Sequence, residues 1–208
     1  MTKINSLMGR KNLSEIRQKE IIIAFYTVAK KIGLENTSVA KVAEEMGISK
    51  GLVMHYFATK ESLLVALKDY ILEKYLSFID SEKLKSIDSK EKLEEFIMLL
   101  FSRKWNDYVD DGLFYSFYAQ VYRNKDFNKS FKSFLETLHN VLKNRLLDAR
   151  NNGIIVNTNI DELTEIIFAL IDGAYYYLGT FTDNRKEYEK QVTIYMNHVK
   201  QLIEYKTS

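Results

Sequence analysis

Apolar residues recur at helical spacing along most of the chain, and polar or glycine positions separate the periodic segments. The pattern predicts a first helix at roughly 14–31 that stops at Gly33. Two short helices and a long one follow, capped by Ser38, Ser49 and Thr59. Polar turns separate further helices at roughly 90–108, 112–123, 127–151, 161–179 and 185–205.

The fold class follows from this periodicity and from the absence of proline, which ends helices and marks rigid turns. We predict an all-α protein of about nine helices. A small N-terminal domain of three helices is expected at 1–58, and a larger helical bundle at 59–208, in which 59–80 forms a connecting helix. The polar segment SEKLKSIDSK, residues 81–90, is predicted to be a linker or a loosely ordered joint.

Composition excludes several classes of protein. Hydrophobic residues make up 46% and charged residues 28%, which is typical of a soluble globular chain with a core. Cysteine is absent, so disulfides, thiolate metal sites and cysteine nucleophiles are excluded. No apolar run reaches the roughly 20 residues that cross a bilayer, and the N-terminus lacks the apolar core of a signal peptide. We therefore expect a cytoplasmic protein without a membrane partner.

The segment SVAKVAEEMGISKGLVMHYF, residues 38–57, reads as helix, glycine turn and helix. At 100° per residue, Val53 and Phe57 fall on one face of the second helix. Gly51, Leu52 and His55 fall on the opposite face. That second face is available to a partner, as in a helix-turn-helix that presents small or polar groups to base edges.

Helix starts and lysines cluster in the same segment. Free backbone N–H groups and the positive end of the helix dipole at each start can bind phosphate. The starts lie at Ser38, Ser49 and Thr59, and the nearby lysines are Lys41, Lys50 and Lys60. Residues 1–57 carry nine Lys or Arg and five acidic residues, within a chain of net charge +2. An excess this small also fits a solvated surface, so charge alone leaves the partner open.

The stretch TSVAKVAEEMGISKGLVMHYFATKESLL resembles the DNA-binding segment of TetR-family regulators, whose pattern is T-T-x-x-x-I-A-x-x-A-G-V-S-x-G-x-x-Y-x-Y-F-x-S-K-x-x-L. The resemblance covers about residues 14–67 and implies that eight positions contact DNA: Ser38, Ser49, Lys50, Gly51, Leu52, His55, Tyr56 and Lys60. Gly51 is then required because a side chain would hold the helix off the DNA backbone. Met54 departs from the pattern, since the family commonly has a phosphate-binding tyrosine there.

Two short stretches resemble one branch of that family. GLVMHYF is similar to the G-I-I-S-H-Y-F of the choline-responsive BetI branch. ALIDGAYYYLG, residues 169–179, is similar to its A-L-I-D-G-L-W-L-R.

Aromatic residues concentrate in the C-terminal part of the chain. Tyr and Trp can line a cavity, and their ring faces attract organic cations. We predict a hydrophobic or cationic ligand held by Trp105, Tyr108, Tyr115, Tyr118 and Tyr176, with Asp110 and Asp111 able to balance a cation. Taken singly, each ring fits a packed core or dimer interface better, and a loop pair of aspartates is more often a helix cap.

Apolar faces on the last two helices predict a dimer surface, and Gly173 permits close helix approach. The surface is predicted to include Phe168, Ile171, Tyr175, Ile194 and Val199. In the resembling family these helices form a four-helix dimer interface. Asp172 lies inside the apolar run, so burial would require a hydroxyl or helix start as its partner.

Signals for an enzyme are weak. The three histidines, His55, His139 and His198, are far apart and outside H-x-x-x-H spacing, and no glycine-rich phosphate loop is present. We expect no enzyme, metal or cofactor. The sequence therefore predicts a homodimeric TetR-type regulator that binds palindromic double-stranded operator DNA, a repressor released by a small-molecule inducer. The alternative is a helical ligand or lipid carrier without specific DNA binding.

Overall fold

The computed structural model describes residues 2–79, 84–181 and 183–206, with side chains of residues 2–11 and 107 excepted. These ranges contain nine α-helices and no strand, which confirms the all-α prediction. The helices are α1 (Thr2–Ile32), α2 (Val39–Glu45), α3 (Lys50–Tyr56), α4 (Lys60–Ile79), α5 (Lys90–Phe101), α6 (Asp111–Val121), α7 (Lys125–Asn151), α8 (Ile160–Leu178) and α9 (Arg185–Leu202). Short 3₁₀ helices cover Arg103–Asp107 and Gly179–Phe181.

Local capping signals place the predicted starts of the first helices. The Ser38 hydroxyl accepts a hydrogen bond from the backbone N–H of Lys41, and the Ser49 hydroxyl accepts one from Leu52. Thr59 and Ser62 exchange side-chain and backbone hydrogen bonds at the start of α4, at 3.1 and 3.3 Å. Each hydroxyl satisfies an N–H group that has no partner within its own helix.

Two predicted helices end earlier than their periodicity suggested. The helix predicted at 90–108 stops at Phe101, because Ser102 has an extended backbone and its hydroxyl donates to the Leu99 carbonyl. The helix predicted to reach 205 stops at Leu202, since the following residues pair with the α7–α8 loop: Val156 N–H donates to Glu204 O, and Lys206 N–H to Ile154 O.

The chain divides into two compact units. Unit 1 comprises Met1–Lys74 and Val109–Phe134, and unit 2 comprises Tyr75–Tyr108 and Leu135–Ser208. Helices α4 and α7 each contribute residues to both units. The functional division between residues 58 and 59 stays a prediction.

In unit 1, α1 buries apolar side chains and contacts α2, α3 and α6, and α6 packs through Phe117 on Phe127 and Phe131 at the start of α7. Tyr26 on α1 accepts a hydrogen bond at 3.1 Å from the backbone N–H of Asp110, just before α6. Lys68 on α4 is buried, with its ammonium 2.5 Å from the Asp69 carboxylate and donating to the Ser130 carbonyl. These polar contacts join α1 and α4 to the α6–α7 segment. The largest fully buried residues of the unit are Ile21, Phe25, Leu34, Leu63, Leu67, Phe117, Phe127, Phe131 and Phe134.

Unit 2 buries part of the segment that was predicted to be a linker. Leu84 and Ile87 are buried, and the Ile87 N–H donates to the Asp148 carboxylate at 2.6 Å. Asn152 in turn donates to the Ile87 carbonyl at 2.9 Å. The linker prediction is therefore wrong for residues 84–88, because two apolar side chains and a carboxylate from α7 anchor them; residues 81–83 lie outside the described ranges. None of the described helices combines the length and apolarity needed to cross a bilayer.

Candidate nucleic-acid interface

Helices α2 and α3 are held together by a tight glycine turn. Gly47 has φ +62°, in the left-handed region that glycine adopts without a steric penalty. Its N–H donates to Glu44 O, and the next N–H, that of Ile48, donates to Ala43 O at 3.0 Å. The turn thereby satisfies the last carbonyls of α2 and sets the direction in which α3 leaves.

Helix α3 has one buried face and one open face, as its sequence predicts. Val53 is fully buried, and Phe57, directly after the helix, is buried as well. The open face carries Lys50, Gly51 and His55 together with two apolar side chains, Leu52 at 37% exposure and Met54 at 43%. Exposed apolar residues on a short surface helix can contact a partner, and apolar side chains contact thymine methyl groups in DNA.

Gly51 is not required by the fold. A Cβ built there would meet only the Ser49 hydroxyl, at 3.9 Å, which is ordinary van der Waals distance. Its backbone lies outside the positive-φ region, to which Gly33, Gly47 and Gly153 belong. The open environment is consistent with a glycine that serves close approach by a partner, as predicted for DNA.

Three lysines near the helix starts differ in their contacts. Lys50 is exposed at the start of α3. The Lys41 ammonium donates to the Asn36 carbonyl at 3.1 Å. The Lys60 ammonium is partly buried and donates to Leu34 O at 3.2 Å and Glu35 O at 3.4 Å. Because an ammonium has three N–H donors, these two carbonyls leave one donor of Lys60 for a phosphate. Lys60 thus also ties α4 to the loop before α2.

The two residues at the end of α3 that were predicted to contact DNA, His55 and Tyr56, pack against each other. The His55 and Tyr56 rings meet edge to face, with centroids 5.1 Å apart. His55 is exposed and Tyr56 is half-buried. Packing against Tyr56 restricts the imidazole, which lowers the entropy that a base contact by His55 would have to overcome.

The five residues predicted to bind a ligand are distributed over both units. Tyr115 and Tyr118 lie on α6 in unit 1, where both pack edge to face against Phe114. Trp105 and Tyr108 belong to unit 2, in and next to the Arg103–Asp107 turn.

In the run Tyr175–Tyr177, the tyrosine that faces the core is Tyr175, whereas the sequence predicted Tyr176. Tyr175, predicted at the dimer surface, is buried, and its hydroxyl donates to the Asn106 side-chain oxygen at 2.5 Å. Tyr176, predicted to line the pocket, is 64% exposed. The correction is a shift of one residue in the phase of α8. That phase is set by the buried stripe of Ile160, Leu163, Thr164, Ile167, Ala174 and Leu178.

The residues predicted at the dimer surface differ in how exposed their side chains are. Val199 is fully buried inside unit 2, so its side chain offers no surface to a second copy, and that assignment is corrected. Phe168 and Ile171 are half-buried against the same core, while Ile194 is exposed. Helix α8 presents an outward apolar stripe that the prediction only partly included: Ile166, Ala169, Gly173, Tyr176 and Tyr177.

The structure shows the surroundings of the three aspartates considered in the sequence, Asp110, Asp111 and Asp172. Asp110 caps α6 by accepting from the Leu113 N–H at 2.9 Å, in agreement with the helix-cap alternative. Asp111 is half-buried in the first turn of the same helix. Asp172 is exposed on α8, so the condition under which it would need a buried partner does not arise.

Comparisons with known proteins match both parts of the chain. A family profile described as "Bacterial regulatory proteins, tetR family" matches residues 26–67, and one described as "Tetracyclin repressor-like, C-terminal domain" matches residues 88–205. The HTH-type transcriptional regulator PksA of Bacillus subtilis (strain 168) is 26% identical over 160 residues, which cover 76% of this chain and 77% of PksA.

Two further relatives agree. The HTH-type transcriptional regulator BetI of Stenotrophomonas maltophilia (strain R551-3) is 35% identical over 65 residues, only 31% of this chain and 33% of BetI. The crystal structure of a TetR transcription regulator from Haloarcula marismortui ATCC 43049 superposes with a TM-score of 0.78 at 20% identity, and the match covers 91% of this chain and 100% of that one. The similarity to BetI is thus partial, whereas the fold is shared over nearly the whole chain.

Proposed function

This chain belongs to the TetR family of transcriptional regulators, and on that premise we propose that it is a homodimeric repressor of a palindromic operator, released by a small-molecule inducer. The observation that carries the proposal is the two-faced helix α3. It is anchored by the buried Val53 and Phe57 and leaves Gly51, Leu52 and His55 open to a partner.

On the DNA side, α3 enters the major groove and the helix starts position it on the backbone. Leu52 and His55 read base edges, while Tyr56 supports His55. The remaining predicted contacts go to phosphate, through backbone N–H groups and charge: Ser38, Ser49, Lys50, Gly51 and Lys60. The family match supports this assignment, and the capped, exposed start of α3 is compatible with it.

The second copy binds through the last two long helices. The outward apolar stripe of α8, formed by Ile166, Ala169, Gly173, Tyr176 and Tyr177, is exposed, and Ile194 adds an exposed apolar side chain on α9. A Cβ on Gly173 would meet nothing within 4 Å, so another helix can approach the α8 backbone closely there. A dimer presents two copies of α3 to two inverted half-sites.

The inducer is an apolar-bodied molecule bound by the C-terminal part of the chain, next to Trp105 and Tyr108. The match of residues 88–205 to a tetracycline-repressor-like C-terminal domain supports this. Helix α4 contributes to both units, so its position can link occupancy of unit 2 to the spacing of the two α3 helices. Repression ends when that spacing no longer fits the operator.

The proposal is tested by fluorescence anisotropy with the full chain, the DNA upstream of its own gene and a shuffled copy of the same composition. We expect the natural sequence to be bound more tightly, and affinity for both to fall with salt. His55→Ala should lower affinity for the natural sequence about fivefold to a hundredfold and much less for the shuffled one, because base readout contributes about 1–3 kcal/mol.

Met98→Ala is the control, since Met98 is exposed on α5 in unit 2, outside α3, α8 and α9. It should bind both DNAs as the unaltered protein does. Equal affinity of the unaltered protein for natural and shuffled DNA would reject the regulator proposal and favour the carrier alternative.

A further inference from the structure

The buried indole N–H of Trp105 has no hydrogen-bond acceptor among the residues that the structure describes. Trp105 lies in the Arg103–Asp107 turn of unit 2 and is 1% exposed. Its Nε1 atom is shielded from solvent and has no partner among the described residues. Folded proteins pair nearly all buried N–H groups, because an unpaired one has lost its water without compensation. An unpaired indole N–H therefore leaves room for an acceptor that the described residues do not supply.

Aromatic rings surround this indole and extend toward the surface. Tyr75 stacks on it with an interplanar angle of 26°, and Phe78 lies 6.2 Å from it between ring centroids. Phe78 also contacts Tyr108, 5.2 Å away, and Tyr108 is 50% exposed. The rings form a continuous layer from the buried indole to a half-exposed tyrosine. An apolar molecule that packs along this layer would bring its polar end to the Trp105 N–H.

The charge along the turn disfavours a cation at this place. Its sequence, RKWND, has two cations against one anion. The Arg103 guanidinium lies over the Tyr175 ring, 5.7 Å from the centroid, and so already occupies one aromatic face. Its charge is also felt at Tyr188: burial raises the pKa of that phenol, while the backbone N–H and the charge of Arg103 oppose the rise. A quaternary ammonium here would meet both a donor and a positive charge.

We propose that the Trp105 indole N–H donates a hydrogen bond to a carbonyl or carboxylate oxygen of the inducer. The inference rests on the proposed function, in which an apolar-bodied ligand binds next to Trp105. The sequence predicted a hydrophobic or cationic ligand; this inference keeps the apolar body, drops the cation and adds an oxygen acceptor on a neutral or anionic group. The aromatic layer binds the apolar body, and the indole selects the polar end.

The experiment uses the single tryptophan of the chain, which gives one indole cross-peak in a ¹H–¹⁵N spectrum. The full-length protein is titrated with 3-phenylpropionate, its methyl ester and (2-phenylethyl)trimethylammonium, and affinities are measured by calorimetry. All three probes share the phenyl ring, which controls for ring-current effects. Only the first two carry an oxygen acceptor. We expect both of these to move the indole proton downfield, as hydrogen bonding does, and the ammonium probe to leave it in place.

Trp105→Phe keeps an aromatic ring and removes the donor. It should weaken binding of the methyl ester about threefold to tenfold, the range of one neutral hydrogen bond, and binding of the carboxylate about tenfold to a hundredfold, the range of a hydrogen bond to a charged group. It should leave the ammonium probe unchanged. An indole peak that stays in place at saturation with an oxygen probe would overturn the inference. So would tighter binding of the ammonium probe, or no binding of either oxygen probe. Operator binding is measured separately, so its loss would reject the regulator proposal while the indole titration still decides the ligand chemistry.

Discussion

Replacing Gly51 with alanine separates the demands of the fold from those of DNA binding. Gly51 is the second residue of α3 and is exposed, and an added Cβ would meet only the Ser49 hydroxyl at 3.9 Å. The free protein can therefore accept the methyl group without strain. A DNA backbone that approaches Gly51 closely would clash with the same methyl group.

Gly51→Ala should raise the stability of the protein and lower its affinity for the operator. Alanine is favoured over glycine in a helix by about 0.5–1 kcal/mol, so Gly51→Ala should stabilise the protein. For a chain of this size the melting temperature should rise by about 1–4 °C. Loss of one charge-assisted contact to phosphate at each half-site costs about 1.5–3 kcal/mol, which lowers operator affinity about tenfold to a hundredfold for each bound protomer.

Thermal denaturation at a fixed protein concentration and anisotropy with labelled operator DNA measure both effects. A variant that melts higher and binds less cannot owe its weaker binding to misfolding. Unchanged operator affinity would show that DNA does not approach Gly51 closely. A lower melting temperature would show that the space around Gly51 is not open.

The slope of log affinity against log salt is negative, and Lys50→Ala should make it less steep by about 0.9 for each bound protomer. The control Lys104→Ala removes the same charge from an exposed lysine in unit 2 and should leave the slope unchanged. Ile166→Glu should yield monomers by light scattering, and Met98→Glu, an equal change at an exposed apolar position on α5, should remain dimeric; a dimeric Ile166 variant would place the interface elsewhere. Burial, helped by the nearby Glu94 carboxylate, raises the pKa of Tyr205 above its usual 10.0. The folded state then holds this proton more tightly than the unfolded state, so stability should fall as pH rises above about 10 in urea titrations, and Tyr205→Phe should flatten that fall.

The sequence predicted the features that depend on neighbouring residues. Ser38, Ser49 and Thr59 cap their helices as expected, because a cap is formed within one helical turn. Gly33 follows α1 with φ +84°, a conformation that glycine adopts readily. The two faces of α3 were also predicted correctly, since a seven-residue helix has little room for an error of phase.

The sequence could not predict features that depend on distant partners. Ile87 sits in a polar stretch, and its burial depends on Asp148 and Asn152 more than 60 residues away. Periodicity showed that α8 is amphipathic, but only packing within unit 2 decides that Tyr175 rather than Tyr176 faces inward. The sequence could not predict that the Trp105 N–H lacks an acceptor among the described residues either, because that depends on everything packed around the indole.

Two copies of α3 should read an inverted repeat, and selection from random DNA with the full-length protein measures this. We expect the selected sequences to converge on two inverted half-sites whose centres lie about one helical turn apart, 10–10.5 base pairs, or a multiple of it. His55→Ala should relax the preference at the same position in both half-sites. Selected sequences without an inverted repeat, or no convergence over repeated rounds, would contradict the account.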